Sequence, residues 1–224
     1  LRSTPLLGRA LTSLSGRTTA VPFETSWQYW ESRYATGRDS GAGSEGRLAA
    51  WKAQFLNEFV SRNGIELVVE LGCGDGRQLS RARYPYYFGL DVSKTAIALC
   101  TRRFKNDRTK AFRHWDWASG PLEIPSGPAD LALSLDVVYH LVEDAAFEAH
   151  MNALFASSRN WVVVYSTNEE SASRVPWVRH REFTAWIVKS LPGWHLVERH
   201  PNRFPFERED GRTSSAEFFV YHKH

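Results

Sequence analysis

Apolar and β-branched residues recur along this chain in short runs separated by stretches of helical periodicity. Ile65-Glu66-Leu67-Val68-Val69 is the first run that reads as a strand. Tyr86 to Ser93 is a second, Ala111 to Trp117 a third, Asp130 to Asp136 a fourth and Trp161 to Ser166 a fifth. Helical patterns are expected between each pair. Leu48, Trp51, Phe55 and Phe59 make a stripe with Ser44 as the expected N-cap. Ala96, Ile97, Leu99, Cys100 and Phe104 make another behind Ser93, and Phe147, Met151, Leu154 and Phe155 mark a third within 145–157. Strands alternating with helices predict a parallel sheet covered on both faces. The last third breaks this rhythm. Residues 194–199 and 216–222 read as strands with only Pro-, Arg- and Glu-rich loop between them, so these two are expected to run antiparallel.

Candidate chemistry starts where the first strand ends, at Glu70-Leu71-Gly72-Cys73-Gly74-Asp75-Gly76. Alternate glycines let bare backbone approach a ligand. A dinucleotide fingerprint would read G-x-G-x-x-G and meet a pyrophosphate at a helix N-terminus, whereas here the spacing is G-x-G-x-G and two carboxylates flank it. Those carboxylates repel a pyrophosphate and welcome a cation. A plain tight turn would use the same glycines without any ligand. Asp91, followed by Val92, ends the second strand at the place where Rossmann-type sheets put a ribose-binding acid, and it is expected to hold ribose hydroxyls.

The pattern E-x-G-x-G-x-G over Glu70 to Gly76 resembles motif I of the class I S-adenosylmethionine-dependent methyltransferases, whose ligand has no phosphate and carries an amino group and a sulfonium. At the level of pattern the resemblance covers residues 65–224. It implies an α/β, Rossmann-like sheet, mostly parallel with an antiparallel last strand and helices on both faces. It also implies S-adenosylmethionine as cofactor, held by Glu70, Gly72, Gly74, Asp75, Asp91 and Val92. Asp116 then receives the adenine amino group, and Trp115 or Trp117 covers the ring. Upstream, Tyr29-Trp30-Glu31-Ser32-Arg33-Tyr34 and Ser40-Gly41-Ala42-Gly43-Ser44 are similar to a subgroup of bacterial methyltransferases that act with glycan-building enzymes. Within it they are most similar to the sugar O-methyltransferases of mycobacterial methylated-polysaccharide (methylmannose polysaccharide) synthesis. That likeness implies a saccharide acceptor. A Gly/Ser loop feeding a helix would cradle the methionine carboxylate near Ser44, because its amides are unpaired and the helix dipole favours an anion. The same loop also reads as a lid or a plain surface turn.

Catalysis is expected just after the fourth strand, where ligands of open α/β sheets bind. If residues 136–140 form a helical turn, Asp136 and His140 share a face. A hydroxyl acceptor gains from a base, and histidine, with an unperturbed pKa of about 6.5, suits that work. His140 is therefore the expected general base, with Asp136 orienting it; the plainer reading is a histidine that packs or caps the next helix. Glu143 and Asp144 suit the first turn of that helix. With Asp136 and His140 they could instead hold Mg2+ through oxygen ligands, although no H-E-x-x-H, H-x-H or C-x-x-C spacing accompanies them. Trp30, Tyr34, Tyr139, Asp144, Trp177 and His180 are candidates to frame a small polar acceptor, or else packing residues. The stretch after the fourth strand lacks the Asn/Asp-Pro-Pro-aromatic motif of nucleobase amine methylation, and neither cysteine follows a proline.

Composition adds limits. The 224 residues, 42% hydrophobic and 24% charged, suit one globular domain with an extension: 1–60 as an N-terminal segment and helices covering the cofactor site, and 61–224 as the methyltransferase core. A net charge of +3 implies no strong nucleic-acid footprint, while the pI of about 8.9 leaves weak polyanion binding open. Two cysteines make no disulfide framework, no run has the length of a membrane span, and a cytoplasmic setting is expected. Leu1 to Phe23 carries Arg2, Arg9 and Arg17 and no acid, which reads as a transit peptide or a flexible cover. Together these features predict an O-methyltransferase acting on a saccharide or similar polyol, with no nucleic-acid or membrane partner and with room for a homodimer. The alternatives are methylation of a small amine or carboxylate, and a scaffold that binds the cofactor without catalysis.

Overall fold

The computed structural model describes residues 23–208, 210 and 212–223. The basic segment before Phe23, with both readings given to it, lies outside the described residues.

Among the described residues seven strands form one sheet: β1 Leu67–Leu71, β2 Tyr86–Asp91, β3 Lys110–His114, β4 Ala129–Leu135, β5 Ser158–Ser166, β6 Trp194–His200 and β7 Glu217–Lys223. Their order is β3-β2-β1-β4-β5-β7-β6. The first five strands pair in parallel, and β7 inserts antiparallel between β5 and β6. The connection from β6 to β7 carries no crossover helix, and the two strands run antiparallel as the sequence suggested. Helices α2 (Gly46–Arg62) and α3 (Lys94–Arg103) bury Leu56, Phe59 and Cys100 on one face of the sheet. On the other face α4 (Asp144–Ala156) and α5 (Phe183–Ser190) bury Phe147, Met151, Leu154, Phe183 and Ile187. The central strands, covered on both sides, are accordingly near-continuous apolar runs such as Val162-Val163-Val164, all fully buried.

Helices do not fill every crossover. Between β1 and β2 the only regular piece is a 3-10 turn at Leu79–Arg81, and between β3 and β4 it is one at Trp117–Ser119. Pro121, Pro125 and Pro128 explain the second case, since each removes an amide donor and clashes with a helical turn. Strand ends also shift in a way that matters for the site. Glu70 lies inside β1, whereas Trp115 to Trp117 and Asp136 lie beyond their strands, above the carboxyl edge of the sheet.

Helix α1 (Ser26–Ala35) is capped by Thr25, whose hydroxyl accepts from the Gln28 amide. Its Glu31 docks on the start of α3, accepting from Ser93 Oγ at 2.7 Å and Thr95 Oγ1 at 2.6 Å. Ser93 caps α3 through the Ala96 amide as expected. Ser44 does not cap α2. It ends a 3-10 turn over Ala42–Ser44, and Glu45 occupies the cap position without a side-chain bond, because Gly46 at φ +55° delays the helix.

Candidate active site

The carboxyl edges of β1, β2 and β4 and the inner side of α1 and α2 enclose a cleft of about 990 Å³, solvent at its mouth included. Gly72 and Gly74, at φ +88° and +57°, form its floor. A Cβ on Gly72 would run into Val137, and one on Gly74 into Ser40 Oγ and Tyr34 OH, so glycine is required there twice over.

Three acids surround this loop. Glu70, 4% exposed, accepts a 2.6 Å bond from Tyr87 OH, and burial raises its pKa to about 7. Asp91 accepts from the amides of Gly74 and Ser93, each at 2.8 Å, and burial lifts it to about 6 in spite of those bonds. Both line the cleft, as do Gly72, Gly74, Val92, Ser44, Trp30, Tyr34 and Trp117. Asp75 does not line it: its carboxylate takes bonds from Ser40 Oγ, the Arg77 amide and the Arg77 side chain, tying the loop to the segment ahead of α2. Asp116 is likewise absent from the lining. It accepts from the Ala118 amide at 3.0 Å and caps its own 3-10 turn, leaving Trp115 and Trp117 as the walls.

Asp136 and His140 both line the cleft, but not as one hydrogen-bonded pair. The expected helical turn is a 3-10 turn over Val138–His140, and Asp136 stands before it in the left-handed region at φ +59°. Its carboxylate is ion-paired with Lys52 of α2 and accepts from Tyr139 OH at 2.8 Å. A non-glycine residue costs about 1–2 kcal/mol in that conformation, and the two side-chain anchors offset it. His140 bonds instead through Nδ1 to the Trp177 carbonyl at 2.9 Å, with the Trp30 ring edge-on at 4.9 Å. Burial lowers its pKa to about 4, the Trp177 bond and Asp136 opposing. A carbonyl only accepts, so Nδ1 carries the proton and Nε2 keeps its lone pair.

The remaining candidates separate from the cleft. Asp144 is largely exposed and paired with Arg179 and Arg181, while Glu143 accepts from the Ser26 amide and hydroxyl. The Mg2+ grouping of Asp136, His140, Glu143 and Asp144 is therefore not assembled, and no group of three or more metal-ligating side chains occurs among the described residues. Tyr139 spends its hydroxyl on Asp136, and His180 bonds Thr167 Oγ1 at 2.8 Å. Neither lines the cleft.

Lys52 went unread in the sequence. It is 1% exposed, follows Leu48 by four residues on the buried face of α2, and lies 5.0 Å from the Tyr165 ring centroid. A lysine inside an apolar stripe was the available signal. Ser40, and the buried pair of Ser134 Oγ and His150 Nε2 at 2.9 Å, carried no local motif.

Residues 68–159 match a family model described as a methyltransferase domain. No curated protein is a detectable sequence relative. Among solved structures, the N-methyltransferase NodS from Bradyrhizobium japonicum with bound S-adenosyl-L-homocysteine is similar at 16% identity, TM-score 0.69, over 89% of this chain and 99% of that one. Magnesium protoporphyrin IX methyltransferase from Synechocystis with bound SAM is similar at 14% identity, TM-score 0.64, over 92% and 100%. The methyltransferase domain of a bacterial Hen1 is similar at 20% identity, TM-score 0.58, over 78% and 97%. The E-x-G-x-G-x-G loop, the strand order with its reversed β7 and the match over residues 68–159 together give this chain a methyltransferase domain with the fold of the class I enzymes, shared with the S-adenosylmethionine- and S-adenosylhomocysteine-bound structures.

Proposed function

We propose that the protein transfers the donor's methyl group to a hydroxyl of a saccharide or similar polyol, with His140 as the base. The observation that carries this reading is the fixed tautomer of His140, which leaves Nε2 able to accept a proton on a ring lining the donor cleft. In the reaction the acceptor oxygen attacks the methyl carbon in line with the sulfonium. The carbon–sulfur bond breaks with its electron pair going to sulfur, and the hydroxyl proton passes to Nε2.

Asp91 is assigned the ribose hydroxyls, and Trp115 and Trp117 with Val92 the adenine. The donor's amino group is assigned to the carbonyls and acids of the loop. Its carboxylate belongs with the segment ending at Ser44 and with Lys52, the only lysine or arginine lining the cleft among the described residues. The described residues from 23 to 60 then act as a cover over the core that begins at residue 61. Trp30 and Tyr34 on α1 are assigned to the acceptor side, where flat aromatic faces suit the apolar faces of a sugar ring.

The low basicity of His140 favours one second reading, an acceptor that attacks without losing a proton first, such as a small amine or a carboxylate. Radiolabelled S-adenosylmethionine offered separately with oligosaccharides, small amines, carboxylic acids and RNA decides between them. Label on the oligosaccharides supports the first reading. Label confined to amines or carboxylic acids replaces it with the second, and label on RNA alone refutes both.

A further inference from the structure

Residues 177–181 follow β5 in a stretch without helix or strand, yet they are bonded along their length to residues 139–144, which carry the base. The Arg179 amide donates to Tyr139 O at 2.8 Å. The Arg179 guanidinium reaches Val142 O at 3.1 Å and Asp144 at 2.9 Å. Arg181, only 8% exposed, donates to Leu141 O, to Val142 O at 2.8 Å and to Asp144 at 3.0 Å. These bonds satisfy carbonyls that neither the 3-10 turn nor α4 uses. At the near end of the same segment Trp177 stacks on Tyr29 of α1, with centroids 4.7 Å apart and planes at 12°. Its carbonyl is thereby held where His140 Nδ1 meets it.

We infer that this segment is a strap whose latch, Arg179 and Arg181 on Asp144, positions His140 by fixing which ring nitrogen carries the proton. The inference rests on the reading of His140 as the base, and it gives Asp144 a purpose other than metal or substrate binding. The logic is local. Asp144 is 67% exposed, so it holds nothing in the core, but both arginines converge on its Oδ1. Releasing that carboxylate loosens the two side chains that tie the strap down, and the Trp177 carbonyl then shifts relative to the ring. Without that acceptor, neutral imidazole distributes its proton over both nitrogens, and the share with a free Nε2 lone pair falls. Arg179, Arg181 and Asp144 are positioning residues in this scheme. None of them touches the cleft.

The test follows the ring itself rather than turnover. Histidine-ring 15N spectra of the full chain, saturated with S-adenosylhomocysteine, are recorded for wild type, Asp144→Asn, Arg179→Gln and Asp144→Glu, with the His140 signals assigned by their loss in His140→Ala. Wild type should show one neutral tautomer, protonated at Nδ1, titrating far below an ordinary histidine. Asp144→Asn and Arg179→Gln should shift the tautomer ratio by about tenfold toward the other form, the scale of one lost hydrogen bond. Water entering beside the ring should also move its titration upward. Asp136 of the β4 edge, Arg33 of α1 and His180 of the strap are the charged or titratable groups facing the ring, and none is altered in these variants. Asp144→Glu should restore the wild-type spectrum. If both latch variants lower only the melting temperature and keep the single tautomer, the strap is structural and the inference is overturned. Asp144 is at the surface, so Asp144→Asn alone decides the matter should Arg179→Gln not fold. His140→Ala turnover tests the base assignment separately, so failure of one is not mistaken for failure of the other.

Discussion

Glu70→Gln should make the ligand-free protein more stable at alkaline pH and leave it almost unchanged in mild acid. Burial lifts the Glu70 carboxyl from 4.5 to about 7, so the native state holds a proton that the unfolded chain releases at lower pH. A group whose folded pKa is raised contributes stability that is fully present below its unfolded pKa. That contribution is lost as pH rises through the folded value. The window here runs from about pH 4.5 to somewhat above 7. A displacement of that size corresponds to stability on the order of 3 kcal/mol, withdrawn across the window. Glutamine stays neutral throughout and can still accept from Tyr87 OH, so its advantage should grow from near zero at about pH 5 to roughly that figure at about pH 8. Urea unfolding of both proteins at several pH values gives the difference directly, since other titrating groups largely cancel between them. A gap independent of pH would refute the reasoning. So would a variant that is uniformly less stable, which would mean that the glutamine amide is left without a partner.

Three further outcomes follow from the same geometry. His140→Ala should keep S-adenosylhomocysteine affinity by calorimetry and lose roughly 10²–10⁴ in kcat, and wild-type kcat should fall in acid only as pH drops toward about 4, where the ring becomes protonated; full turnover in the variant would leave His140 a packing residue. Asp91→Ala should weaken S-adenosylhomocysteine by at least about tenfold, because the ribose acid is gone and the Gly74 and Ser93 amides lose their acceptor; unchanged affinity removes the ribose assignment. Lys52→Met strands the Asp136 carboxylate in a largely buried setting and should cost about 3–5 kcal/mol in unfolding experiments, with Asp136→Asn in the same chain recovering much of it; additive losses would show that the pair is not coupled.

The sheet was legible because its determinants are local. Runs such as Val162-Val163-Val164 and the glycine spacing after Val69 announce buried strands and a bare-backbone loop within a few residues. Asp91, whose position is counted from the loop, lines the cleft. The catalytic assignment fared differently. Pairing Asp136 with His140 assumed helical spacing, but a left-handed residue at 136 breaks that geometry, and nothing in the local sequence announces it. The partners that replaced the expected ones come from far along the chain: Lys52 reaches Asp136 from α2, and the Trp177 carbonyl reaches His140 from the strap. A backbone carbonyl has no sequence signature at all. Asp144 takes its expected place in the first turn of α4, but its arginine partners were not legible, because a carboxylate there looks the same whether arginines or a metal will claim it.

The interior place of β7 bears on how the chain is made. Among the described residues strand β6 is an edge strand whose one neighbour is β7, and β7 is synthesised after it, so β6 leaves the ribosome before that neighbour exists. It carries Leu196 and Val197, both 46% exposed even in the finished sheet. Until β7 arrives, β5 too presents an open row of amides and carbonyls, and a nascent chain in that state can pair with its like. Closure of the sheet is thus a late event that joins three strands at once. The quality of refolding and expression should depend on residues 217–223 more than their distance from the cleft would suggest.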